Sequence, residues 1–161
     1  MADKPFINIK DLEYTHWGDG GRFDARLGAL AEPLGAQKLG YRIVILEPGR
    51  TGWPYHAHHV NEEMFFILEG SGILRFADKI YSVKAGDVIA CPHGADAPHQ
   101  LTNTSSGELK YLAVSTREFP DVCEYPDSDK VGIYMDVPDN AGPVNLIVKK
   151  STGVDYWDGE S

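Results

Sequence analysis

From Leu39 onward, short apolar runs alternate with turn-forming residues. YRIVIL is apolar and β-branched and stops at EPGRTG; MFFIL, ILRFA, IYSV, VIA and LKYLAVS follow, separated by EGSG, DK, KAGD and TSSGE. Runs of four to seven residues rich in Val, Ile, Phe and Tyr, bounded by Gly, Asp, Asn and Ser, predict strands. No helical period lies between them, which predicts an all-β sandwich or barrel over residues 39–117. ADKIYSV predicts a hairpin with Asp78-Lys79 at its tip. In the run after Glu62, Glu63, Phe65 and Ile67 share one face and Met64, Phe66 and Leu68 the other. Both faces are apolar, so this strand is expected to be covered on both sides.

The flanks break this rhythm. Residues 1–38 read as an irregular arm, with a loop at GDGG and a short helical turn between Phe23 and Leu34 that Pro33 ends. Past Arg117, EFPDVCEYPDSDKVG reads as a loop, VGIYMDV and VNLIVKK as strands, and residues 118–161 as a second arm. Tyr156 and Trp157 in the polar tail predict docking onto the chain's own barrel or onto a second subunit.

Length and charge then narrow the function. A chain of 161 residues fits one domain with a single core. The formal net charge of −9, without any Lys/Arg-rich run, argues against nucleic acid or an anionic membrane as partner. MADKPFINIKDLEY lacks the apolar core of a signal peptide, and no stretch reaches the length of a membrane span. Cys91 and Cys123 either pair or stay reduced; the lack of a secretion signal favours reduced thiols and a cytoplasmic location.

Candidate chemistry concentrates in GWPYHAHHVNEEMFFILEG. His56 and His58 share a face if extended, about 6–7 Å apart at Cα, and two such imidazoles can converge on one metal. HVNE supplies a turn that lets Glu63 re-enter the sheet facing inward. A carboxylate opening so apolar a run needs a cation or several donors. Glu62 points towards solvent, and His59 reads as a turn residue or a support to the ligands. In GDVIACPHGADAPHQLTN, His99 opens a strand with Leu101 and Asn103 on its face, while His93 is a turn residue.

Together these residues resemble the cupin superfamily. The first cupin motif, G(x)5HxH(x)3–4E(x)6G, is met by His56, His58, Glu63 and Gly70, with Gly49 or Gly52 standing in for the leading glycine because Arg50 holds its place. The second, G(x)5PxG(x)2H(x)3N, is met by Gly86, Pro92, Gly94, His99 and Asn103, with four residues rather than two between Gly94 and His99. The resemblance covers roughly residues 40–116. It implies a single jelly-roll β-barrel (a double-stranded β-helix), a metal held by His56, His58, Glu63 and His99, and a homodimer.

Three imidazoles and a carboxylate suit Fe, Mn, Ni, Co, Cu or Zn. The expected ligand is a small oxygenated molecule, and the expected chemistry is metal-dependent isomerisation or lyase action. Two alternatives stand beside it: an Fe(II)-type dioxygenase and a non-catalytic small-molecule sensor. Tyr41, Arg42, Arg75, Tyr81, Gln100 and Tyr111 are candidates for contacting substrate, and strand alternation turns about half of them inward. GxSxG and HExxH are absent, and GDGGRF and EGSGIL lack the spacing of a phosphate-binding loop.

Overall fold

The computed structural model describes residues 4–135 and 144–160. The elements are almost all strands: β1 (Tyr14–Gly18), β2 (Asp24–Ala29), β3 (Leu39–Leu46), β4 (Ala57–His58), β5 (Glu63–Glu69), β6 (Ser71–Phe76), β7 (Lys79–Lys84), β8 (Val88–Cys91), β9 (His99–Thr102), β10 (Leu109–Thr116), β11 (Asp121–Tyr125), β12 (Lys130–Met135) and β13 (Val144–Lys149). They form three antiparallel sheets ordered β1-β2-β3-β10-β5-β8, β7-β6-β9 and β13-β12-β11-β4. The jelly-roll barrel expected from the motifs is the fold observed. No helix among the described residues is long and apolar enough to cross a membrane.

Alternation along each strand places the core. Val44 and Leu46 of β3, Phe65 and Ile67 of β5, Leu74 of β6, Ile89 of β8, Leu101 of β9, and Leu109 and Tyr111 of β10 meet inside the barrel. The opposite face of the large sheet carries a second cluster, Leu30, Ile43 and Ile45, which Leu12, Tyr41, Leu68 and Leu112 cover. Strand β5 is therefore packed on both sides where Leu68 lies, and only half-buried on the outer side at Met64 and Phe66.

Gly70 turns the chain from β5 into β6 with φ +82°, and a Cβ there would lie 2.1 Å from the Glu108 carbonyl oxygen. Glycine at that motif position thus answers both a left-handed backbone and a close crossing of two chain segments.

Three local expectations need correction. Residues 24–29 are a strand rather than part of a helical turn. Ala25 and Leu27 face the barrel core, and pairing with β3 overrides the helix-forming tendency of Ala, Leu and Arg. Only Leu30–Ala36 retains tight turns. The loop expected at EFPDVCEYP is strand β11, with Pro120 and Pro126 bounding it at both ends while Asp121 and Cys123 point inward. The hairpin tip is Ala77-Asp78, with φ of 45° and 62°, one residue earlier than the sequence suggests. VGIYMDV does form β12 as far as Met135; its last two residues lie outside the described residues. Tyr156 and Trp157 are 83% and 71% exposed and pack edge-on against each other, not on the chain's own barrel.

Candidate metal centre

The HxH pair sits where the sheets meet. His58 ends β4, and His56, just before it, forms an isolated antiparallel bridge with His99 at the start of β9 (N–O 3.2 and 2.8 Å). His58 is paired with Cys123 of β11. The turn between His58 and Glu63 reverses the facing as its spacing requires. It is held by Asn61, whose Oδ1 accepts from the Glu118 amide (2.7 Å) and the Thr116 hydroxyl (2.9 Å). The two additional residues before His99 are absorbed in a turn, in which the Gly94 amide donates to the His58 carbonyl (2.7 Å) and the Ala97 amide to the Gly94 carbonyl (3.2 Å).

Glu63 gathers the three motif histidines, and His56, His58 and Glu63 bring donor atoms within 4.8 Å of one another. Glu63 Oε2 lies 3.6 Å from His56 Nε2, 3.6 Å from His58 Nε2 and 2.9 Å from His99 Nε2. Two donors bound at about 2.1 Å to one ion stand about 3.0–3.4 Å apart at octahedral or tetrahedral angles; the Glu63–His99 separation is close to that range and the other two slightly exceed it. The other ring nitrogen of each histidine is committed. His56 Nδ1 donates to the Pro54 carbonyl (2.8 Å), His99 Nδ1 to the Ala97 carbonyl (3.1 Å), and His58 Nδ1 to Asp121 Oδ2 (2.6 Å). That arrangement leaves each Nε2 on the side of Glu63 Oε2. A divalent transition metal fits this donor set.

The electrostatics agree. Burial opposes ionisation of Glu63, but hydrogen bonds from His56 and His99 and the nearby imidazoles hold its carboxyl well below the usual range. Burial opposes protonation of His99, yet the neighbouring Cys91 and the Glu63 carboxylate push its pKa up to about 9. Burial also opposes ionisation of Asp121, and the hydrogen bonds of His58 and Asn61 bring its carboxyl down to about 2. Without metal, the cluster is a set of mutually compensating charges.

The other candidates are scattered. Arg42 shares the barrel-facing side of β3 with Val44, and its guanidinium lies over the Trp53 ring, 5.9 Å from the centroid. Tyr111 is buried in the barrel, edge-on to Phe65 at 5.4 Å. Burial and the Glu63 charge push its phenol pKa far up. Tyr41 faces the outer cluster. Arg75 stacks on Tyr55 (3.6 Å) and one of its guanidinium nitrogens donates to both Asp127 carboxylate oxygens (2.7 and 2.9 Å), and Tyr81 is exposed on β7. Gln100 donates to the Trp53 carbonyl (2.9 Å) and accepts from Arg22 (3.3 Å). His59 pairs with Glu124 and His93 with Glu62, both away from the cluster.

Asp121, Cys91 and Cys123 border the site without any sequence signal. Both cysteines are free and buried. The carbonyl acceptors of His56 and His99 had a faint one, since each comes from the residue two before its histidine.

Residues 42–115 match the cupin domain family. With the barrel and its four-residue cluster, this segment belongs to the cupin superfamily. Similar solved structures include a proposed sugar phosphate isomerase from Acidithiobacillus ferrooxidans and a cupin-superfamily sugar phosphate isomerase from Silicibacter pomeroyi. The first has TM-score 0.81 and 23% identity, over 94% of this chain and 96% of the other. The second has TM-score 0.78 and 23% identity, over 96% and 98%. A predicted oxalate decarboxylase from Thermotoga maritima superposes with TM-score 0.62 and 24% identity, over 70% of this chain and 99% of that one. Among curated proteins, the oxalate-binding protein of Thermotoga maritima is 36% identical over 59 residues, 37% of this chain and 47% of that protein. An uncharacterized protein of Methanocaldococcus jannaschii is 37% identical over 60 residues, 37% of this chain and 46% of that protein. The chain thus matches about half the length of these curated relatives.

Proposed function

We propose that the protein is a metal-dependent cupin that binds and transforms a small oxygenated metabolite, by isomerase- or lyase-type chemistry. The observation that carries this reading is the set of three imidazoles whose Nδ1 atoms are all engaged, so that their Nε2 atoms meet at one Glu63 oxygen. A divalent metal held by His56, His58, Glu63 and His99 would supply Lewis-acid stabilisation of charge developing on substrate oxygens. Carboxylates and sugar phosphates enter the proposal because proteins of like fold carry those names.

The chain's own groups then orient the substrate. Arg42 is exposed on β3 beside Trp53 and forms no ion pair among the described residues, so its fork is free for a carboxylate or phosphate. Tyr111 stays protonated at neutral pH and serves as a hydrogen-bond donor rather than a base. Anaerobic, reducing purification followed by metal analysis tests the reading, with turnover and oxygen uptake assayed on sugar phosphates and carboxylates. A stoichiometric divalent metal is expected, and Arg42→Ala is expected to raise KM for an anionic substrate roughly 10–100-fold at unchanged metal content. Folded protein without affinity for added metal would sink the proposal.

A second reading, a non-catalytic binding protein, is favoured by the likeness to the oxalate-binding protein. Tight binding of a small carboxylate with no turnover of any panel member would establish it. The proposal also includes a homodimer in the cytoplasm. The outer face at Leu39, Met64, Ala90, Pro92 and Val114 forms an apolar groove of about 350 Å3, and adjacent Val88 is 68% exposed. Light scattering is expected to return twice the chain mass; a monomer at micromolar concentration counts against the dimer.

A further inference from the structure

The three imidazoles are not held alike. The partners of His56 and His99 are carbonyls from their own strand entries, two residues away. The partner of His58 is a carboxylate 63 positions further along the chain, on β11, past the end of the matched cupin segment. Its second oxygen accepts from the Val60 amide (3.1 Å), in the turn that carries the chain from His58 to Glu63. One side chain therefore fixes both the ring plane of His58 and the backbone that delivers Glu63.

Asp121 is also expensive to bury. Its side chain is 4% exposed, and among the described residues its ion-pair partner is His58, with no Lys or Arg within reach. A desolvated carboxylate needs compensating charge or several donors. Here compensation runs through the imidazole towards the point where the Nε2 atoms meet. Cys123 Sγ lies beside the same nitrogen, 3.1 Å from His58 Nδ1, and burial keeps its thiol neutral. Hydrogen bonding of a ligating imidazole to a carboxylate fixes its tautomer and strengthens it as a donor.

We infer that Asp121 is the positioning residue of the metal centre, so that strand β11, outside the matched cupin segment, completes the site. The inference rests on the metal-centre reading above. It predicts that His58 is the strongest imidazole donor and that its negative partner offsets part of the charge of a bound divalent ion.

Zn(II) and Co(II) titrations of the full chain test it, with a competing chromophoric chelator and the Co(II) visible spectrum as readouts. Asp121→Asn is expected to weaken metal affinity about 10–100-fold and to shift the Co(II) bands, because Asn keeps the size and loses the charge. Asp121→Glu should restore part of both. In the Zn(II)-loaded wild type, 15N spectra of the imidazoles supply a readout that does not depend on how well a variant folds. They should show His58 protonated at Nδ1 and bound through Nε2. Equal affinity and an unchanged Co(II) spectrum in Asp121→Asn would overturn the inference, as would a His58 bound through Nδ1. A wild type that binds neither metal would remove the metal-centre reading itself, and this inference with it.

Discussion

Glu63→Gln is expected to weaken metal binding strongly and to reduce the raised pKa of His99, with the barrel intact. Gln has the same shape and still accepts a hydrogen bond from His99 Nε2, so the substitution removes little besides charge. Structural zinc sites supply about 10–16 kcal/mol from four donors, or roughly 3 kcal/mol per donor, so losing the carboxylate should cost about two orders of magnitude in affinity. In the metal-free wild type, the pKa of His99 is raised to about 9, which means protonated His99 stabilises the fold. That contribution is present in full below about pH 6.5 and is lost as pH rises through about 9. The wild type should therefore lose stability across this window, and the variant should lose less, by the part of the shift that Glu63 rather than Cys91 causes. Denaturation series at several pH values, with histidine NMR titrations, measure both. An unchanged His99 titration together with undiminished metal affinity would show that Glu63 is not the charge at the centre of this cluster.

The second large effect belongs to the last residue of the second motif. Asn103 is fully buried. Its amide nitrogen donates to the Leu46 carbonyl (2.8 Å) and the Gly107 carbonyl (2.7 Å), and its oxygen accepts from the amide and hydroxyl of Ser105 (2.9 and 2.8 Å). Its backbone joins the turn at Gly49 and Arg50 as well. Ala at this position strands buried polar groups, at about 1–3 kcal/mol each, and leaves a small cavity; a loss of about 3–5 kcal/mol is expected. Asn103 follows His99 by four residues, about 13 Å along an extended chain, so folded Asn103→Ala should bind metal like the wild type. Urea denaturation combined with metal titration separates the two effects. A destabilisation below about 1 kcal/mol would mean that water or backbone adjustment replaces the lost bonds.

Asn103 and Glu63 illustrate how differently two motif positions contribute: one organises backbone, the other gathers donors. Both were legible in the chain as spacing, and so was the barrel. Strand alternation from Leu39 to Thr116 separates Val44, Phe65, Ile67 and Tyr111 from the outward positions without any tertiary information. Strands β2 and β11 were not legible, for different reasons. Strand β2 is built from Ala, Leu and Arg, whose local preference is helical, and it is extended because β3 offers it a ladder. Strand β11 is five residues between two prolines, and its strand character comes from pairing with β12 and β4.

Strand alternation and motif spacing were enough to place the apolar face of each barrel strand, to turn Glu63 inward near His56 and His58, and to put a histidine-rich donor set beside an apolar interior. Local periodicity and short spacings carry that information, because both are fixed by backbone geometry within a few residues. Long-range pairing alone shows that Asp121 holds His58, that Tyr111 is buried in the barrel while Arg42 and Tyr81 are exposed, and that two buried thiols flank the cluster. Those facts depend on which distant strands pair and in which register, and no pattern within one segment encodes that choice.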